Sequence, residues 1–297
     1  MSDRVSKRLF CFGFGFSAEA LARRLAPKGF TVAGTTRGEA KAMRMKAEDV
    51  EPWLFADGKG IADPERALAG TTHLLISTPP GEDGDPVLAA HADILSRLVP
   101  QLEWVGYLST TGVYGDRQGA WVDEESALTP DTERGRRRLR AEDDWRALGA
   151  PLHIFRLAGI YGPGRNQLRS LKDGKAKRIV KPGQVFSRIH VDDIAAILEA
   201  SIAKPDPGAA YNVCDDEPAP PQDVVAYAAE LLGMTPPPEI PFEEAELSPM
   251  AASFYSDSKR VSNRRIREEL GVDLAFPTYR EGLKALLDSG RFYGAGP

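Results

Sequence analysis

The chain has 297 residues, 42% of them hydrophobic and 27% charged, with a formal net charge of -5. This is the usage of a folded chain and not of a disordered one, and the length suits one large domain carrying a smaller lobe. The acidic balance excludes a nucleic-acid partner, because displacing counterions from phosphates takes a surplus of Lys and Arg.

Short apolar runs alternate with segments of helical period along the chain. Buried strands are expected at 8–12, 31–35, 53–55, 73–77, 104–109 and 153–157, since each is β-branched or aromatic and ends at Gly, Asp, Pro or Ser. Helices with Ala and Leu at three-to-four spacing are expected at 18–25, 85–98 and 136–148. Such repetition builds an α/β parallel sheet with helices on both faces. After Gly162-Pro163-Gly164 the pattern loosens into a basic stretch (Lys172, Lys175, Lys177, Arg178, Lys181), a strand at 185–191 and a helix at 192–202. Thr235-Pro236-Pro237-Pro238 predicts a rigid extended connector, and amphipathic helices are expected at 259–270 and 279–287.

Residues 9–15 near the start are too short for a secretory core or a membrane span, so a cytoplasmic location without membrane association is expected. Cys11 and Cys214 each lie in an apolar run, where a thiol behaves as a small buried hydrophobe. His73, His91, His153 and His190 lack the close spacing of zinc ligands, and no metal is expected.

Gly13-Phe14-Gly15-Phe16-Ser17-Ala18 follows the first strand and opens a helix, with the spacing G-x-G-x-x-A. Gly13 permits the tight turn, Gly15 lets backbone amides approach a pyrophosphate, and Ala18 lets helix and strand pack closely. The strand-turn-helix context is the one that the motif demands, and it makes the sheet a doubly wound Rossmann-type fold. An acid at the end of the second strand would hydrogen-bond the ribose of NAD; here the strand ends Thr35-Thr36-Arg37, and a guanidinium beside two hydroxyls suits the extra phosphate of NADP. NADP is therefore the expected cofactor, with NAD the alternative. Its binding set is expected to comprise Gly13, Gly15, Phe16, Ser17, Ala18, Thr36, Arg37, Asp57, Ser77 and Thr78. The dinucleotide-binding domain is read over 1–162, with 185–202 returning to it, and a mainly substrate-binding lobe over 163–297.

Three later stretches carry a resemblance. They are Leu108-Ser109-Thr110-Thr111-Gly112-Val113-Tyr114-Gly115, Phe155-Arg156-Leu157-Ala158-Gly159-Ile160-Tyr161-Gly162-Pro163-Gly164, and Arg188-Ile189-His190-Val191-Asp192-Asp193-Ile194-Ala195. With the glycine loop they resemble the extended short-chain dehydrogenase/reductase family, the NAD(P)-dependent epimerases and dehydratases. The resemblance covers nearly the whole chain. It implies that Thr110 hydrogen-bonds the reacting carbonyl or hydroxyl. It also implies a Tyr-x-x-x-Lys pair before a Leu-x-Ala-Glu sequence, which here reads Leu139-Arg140-Ala141-Glu142. That alignment puts Arg134 at the Tyr position and Arg138 at the Lys position. An arginine stays protonated and cannot shuttle a proton as a phenol does, so the chain is similar to atypical members that keep the cofactor site and lack the Tyr.

Arg138 is a candidate to hold the ribose hydroxyls, although the run 134–140 also reads as a solvated basic face. Tyr114, Tyr161 and His190 are candidate replacement bases, with aromatic packing as their ordinary role. The expected function is an NADP-dependent oxidoreductase or epimerase/dehydratase acting on a small or nucleotide-linked carbonyl or hydroxyl compound, and the basic stretch would suit an anionic one. The rival is an NADP-binding sensor or scaffold without turnover. A homodimer is the expected assembly if the chain associates.

Overall fold

Strands that are apolar on both faces must be covered on both, and the helical segments between them are long enough to cross back in parallel. In the computed structural model, which describes residues 7–56 and 59–294, the chain begins β1 (Arg8–Phe12), α1 (Phe16–Leu25), β2 (Thr31–Thr36), α2 (Glu39–Ala47), β3 (Val50–Leu54) and α3 (Pro64–Leu68). It continues with β4 (His73–Ile76), α4 (Pro86–Leu98), β5 (Trp104–Thr110), β6 (Trp121–Val122), α5 (Glu133–Ala147), β7 (Leu152–Leu157), β8 (Gly159–Tyr161) and α6 (Gln167–Lys172). The remainder is β9 (Arg178–Val180), β10 (Arg188–His190), α7 (Val191–Ala203), β11 (Ala210–Val213), α8 (Pro221–Leu231), β12 (Glu239–Pro241), α9 (Pro249–Phe254), β13 (Arg260–Val261), α10 (Arg264–Glu268) and α11 (Tyr279–Asp288).

Seven strands pair in the order β3-β2-β1-β4-β5-β7-β11. The β1–β2, β1–β4, β2–β3 and β4–β5 pairs are parallel, so the sheet is of the doubly wound Rossmann type. Its order reverses at β1, between β2 and β4, and ligands of such sheets bind outside the carboxyl ends of the strands at that reversal.

The chain divides into two compact units. Unit 1 comprises Met1–Ser109, Arg137–Phe155 and Ala195–Tyr211; unit 2 comprises Thr110–Arg136, Arg156–Ile194 and Asn212–Pro297. The core of unit 1 sets Phe10, Leu74, Val105 and Tyr107 of the sheet against Leu95 and Leu98 of α4 and Trp145 of α5. The wholly buried Trp145 donates its indole N–H to Asp85 at 3.0 Å, and Asp85 also caps α4 through the amides of Val87 and Leu88. Unit 2 has its own core, in which Leu168 and Leu171 of α6, Val224 and Val225 of α8, and Leu283 of α11 meet around Tyr161. A Cβ on Gly282 would stand 2.0 Å from the Tyr161 hydroxyl, so α11 can reach that ring only with glycine there.

Three expected elements differ. The third strand starts at Val50, before Pro52, because β3 is an edge strand and tolerates a residue without an N–H. The strand expected at 185–191 is only Arg188–His190: Phe186 bridges Ala219 in the antiparallel sense, and Val191 already begins α7. The helix expected at 259–270 contracts to α10, since Arg260 and Val261 pair with Trp121 and Val122 of β6. Among the described residues no helix is long and apolar enough to cross a membrane.

Candidate functional site

The loop after β1 is a tight turn made by backbone geometry. Gly13 has φ +87°, where L side chains are strained, and its amide donates to Thr35 Oγ1 at 2.7 Å. Gly15 N–H closes the turn onto Gly13 O at 3.0 Å. A Cβ on Gly13 would lie 3.0 Å from Thr78 Oγ1 and 3.1 Å from Thr78 N, whereas one on Gly15 would meet nothing within 4 Å. Glycine at 13 is therefore needed for the fold, while at 15 it keeps a space clear. Gly15 is the N-cap of α1 and supplies no side-chain cap, so the first amides of a ten-residue helix lack the usual oxygen partner. Phe16 is half-buried, while Ser17 and Ala18 are buried, Ala18 completely. Ser77 and Thr78 continue from β4, both amides bonding Phe12 O, and the buried Thr78 Oγ1 has no hydrogen-bond partner among the described residues. A helix N-terminus without a side-chain cap, a clear space and an orphaned hydroxyl fit the pyrophosphate of a dinucleotide.

At the end of β2, Thr35 and Thr36 are buried and Arg37 is exposed, making no hydrogen bond or ion pair among the described residues. Gly38 caps α2 without a side chain. Asp57 lies outside the described residues.

At the carboxyl end of β5, Thr110 is half-buried, and its oxygen accepts the Gly112 N–H at 3.2 Å at the head of the 3-10 turn Thr111–Tyr114. The hydroxyl proton is left for another acceptor. Arg138 is no solvated charge: its Nη1 donates to Leu108 O at 2.7 Å and to the Tyr107 hydroxyl at 3.2 Å, and the guanidinium lies 5.6 Å from the Tyr107 ring centre. Arg134 is exposed, with its guanidinium 5.4 Å from the ring centre of Phe254. One pairing went unread in the sequence: Ser109 donates to the wholly buried Glu142 at 2.5 Å. The Leu139-to-Glu142 string was its only signal.

The candidate bases are constrained. Tyr114 is wholly buried, donates to Asn212 Oδ1 at 2.7 Å and accepts from Arg156 at 3.0 Å; burial pushes its phenol up to about 12. Burial likewise raises Tyr161, whose hydroxyl donates to Thr278 O at 3.4 Å. His190 accepts the Asp192 N–H on Nδ1 at 3.2 Å and packs 4.1 Å from the Phe276 ring, and burial lowers it to about 4. Members of the basic stretch are engaged separately, Lys177 with Glu246 O, Arg178 with Glu239 and Lys181 with Tyr255 O, so they do not form one free cationic face. Among the described residues no cluster of three His, Cys, Asp or Glu could hold a metal.

No family model matches the chain. The chain is 31% identical to Protein YeeZ of Escherichia coli K12 over 286 residues, which cover 91% of this chain and 97% of that one. A solved structure of a conserved protein of unknown function from Silicibacter pomeroyi is 55% identical, covers 96% of this chain and 99% of its own, and superposes with a TM-score of 0.88. A protein from Methylobacillus flagellatus assigned as an NAD-dependent epimerase/dehydratase is 26% identical, with coverages of 97% and 99% and a TM-score of 0.70. At the level of fold alone, a human epimerase family protein solved with NADPH (17% identity, TM-score 0.70) and a Bacillus cereus UDP-glucuronic acid 4-epimerase solved with NAD (16%, 0.74) also superpose.

Proposed function

Since the chain belongs to the extended short-chain dehydrogenase/reductase family of NAD(P)-dependent epimerases and dehydratases, we propose that it is an NADP-dependent reductase or epimerase/dehydratase of a small carbonyl or hydroxyl compound. The observation that carries this reading is the loop at Gly13 to Ala18, with its clear space at Gly15, uncapped α1 and partnerless Thr78 hydroxyl. The amides of the first turn of α1 hold the pyrophosphate, and Arg37 with Thr36 takes the ribose phosphate. When bound, the nicotinamide exchanges a hydride with a substrate carbon.

The chain's own contribution is orientation and one hydrogen bond. The Thr110 oxygen accepts the Gly112 N–H, and its O–H donates a hydrogen bond to the reacting oxygen. Arg138 acts as a positioning residue: its bond to Leu108 O fixes β5 two residues before Thr110. Tyr114, Tyr161 and His190 supply no base, because burial raises the two phenols and hydrogen bonds engage them, while the Nδ1 lone pair of His190 is taken by the Asp192 N–H and burial weakens the imidazole as a base. The step would thus be hydride transfer to the carbonyl carbon with the resulting alkoxide taking its proton from solvent water, and turnover on ordinary carbonyl substrates is slow.

Calorimetric titration with NADPH and NADH tests the cofactor reading, and equal affinity would overturn the choice of NADP. The engagement of all three candidate bases also favours a second reading, an NADP-binding sensor. Tight NADPH binding without NADPH oxidation on any member of a carbonyl panel would decide for it.

A further inference from the structure

Arg188 opens β10 and is only partly used by the fold. Its Nη1 donates to Phe186 O at 2.8 Å and Ala219 O at 3.1 Å, the two residues of the antiparallel bridge beside it. Nε and Nη2, the side-on edge of the guanidinium, make no hydrogen bond, and no carboxylate lies within ion-pair distance among the described residues. The side chain is half-buried. Asp215 is near, its amide donating to Arg188 O at 2.6 Å, but its carboxyl makes no ion pair with the guanidinium; burial raises that carboxyl's pKa while the charge of Arg188 opposes the rise. The ring centre of Tyr279 lies 5.9 Å from the guanidinium carbon, and its hydroxyl is buried without a partner, as is Asp215 Oδ2. Both residues are only 1% exposed. A partly buried guanidinium with one edge unbonded, beside a buried hydroxyl and a buried carboxyl oxygen that both lack partners, is costly unless a ligand completes it.

We infer that the Nε/Nη2 edge of Arg188 binds an oxyanion of the substrate, a carboxylate or a phosphate, with the Tyr279 hydroxyl as a further donor. The planar fork matches either group in two parallel bonds. This rests on the proposed function and deepens it, by making its substrate an anionic carbonyl or hydroxyl compound. The anchor is a different residue set from the basic stretch at Lys172 to Lys181.

The test is a titration of the full-length protein, labelled with 15N-arginine, with inorganic phosphate and separately with acetate, following each Nε–H signal. Arg188 is assigned by loss of its signal in Arg188→Lys. Its Nε should shift saturably, and Tyr279→Phe should weaken that shift's midpoint by about tenfold. Response to phosphate alone identifies a phosphorylated substrate, and response to acetate a carboxylate. The Arg37 signal reports the cofactor site separately, so failure there leaves the Arg188 result readable. An Arg188 signal that neither anion moves, in protein whose other signals show it folded, overturns the inference.

Discussion

Replacing Gly15 by valine should separate binding from folding. The backbone at Gly15 lies at φ -110°, ψ -165°, open to β-branched residues, and a Cβ there meets nothing within 4 Å. The loss is then confined to the helix-cap preference, below about 1 kcal/mol, or a fall of about 2–4 °C in Tm. The added methyls occupy the space that the pyrophosphate needs. Losing two charge-assisted contacts of about 1.5 kcal/mol each lowers NADPH affinity about a hundredfold. Gly13→Ala is the contrasting control: φ +87° costs about 1–2 kcal/mol for an L residue, and the methyl stands 3.1 Å from the Thr78 amide, so stability falls as well. Thermal melts by circular dichroism and a fluorescence titration with NADPH give both quantities. If folded Gly15→Val binds NADPH within about twofold of wild type, under 0.5 kcal/mol, the phosphates do not sit over this helix.

Arg37→Ala should erase most of the preference for NADPH over NADH, about tenfold to a hundredfold, in calorimetric titrations. Thr110→Ala should cut NADPH oxidation on any accepted substrate by about tenfold or more, with Thr110→Ser restoring most of it; fast turnover surviving Thr110→Ala would show that the reacting oxygen lies elsewhere. Burial lowers both His73 and His190 from 6.5 to about 4. The unfolded chain therefore binds more protons between those values, and stability that is complete above 6.5 is lost as pH falls towards 4, by at most about 3 kcal/mol for each group. Urea midpoints at pH 7.5 and pH 5 check this, and an unchanged midpoint would contradict neutral buried imidazoles.

The part of the molecule specified by neighbours in sequence was legible. The run Arg8 to Phe12, the glycine loop and the helix behind it announce themselves locally, and β1, the turn and α1 form there. What distant partners specify was not. Arg260 and Val261 carry no strand signal and become one only by meeting Trp121 and Val122. The same holds for single side chains: in a run of basic residues nothing distinguishes Arg138, yet its guanidinium reaches the Leu108 carbonyl thirty positions away. Glycine at 282 makes sense only once Tyr161 is seen against it.

The chain passes between the two units at five peptide bonds, those after Ser109, Arg136, Phe155, Ile194 and Tyr211. No single cut therefore releases either unit. On the ribosome, strands β1 to β5 emerge while α5, β7 and β11 are still unmade, and about 100 residues separate Ser109 from Tyr211. At typical elongation rates this leaves an unfinished apolar sheet edge for about 5–20 s, an interval in which a nascent-chain chaperone has something to hold.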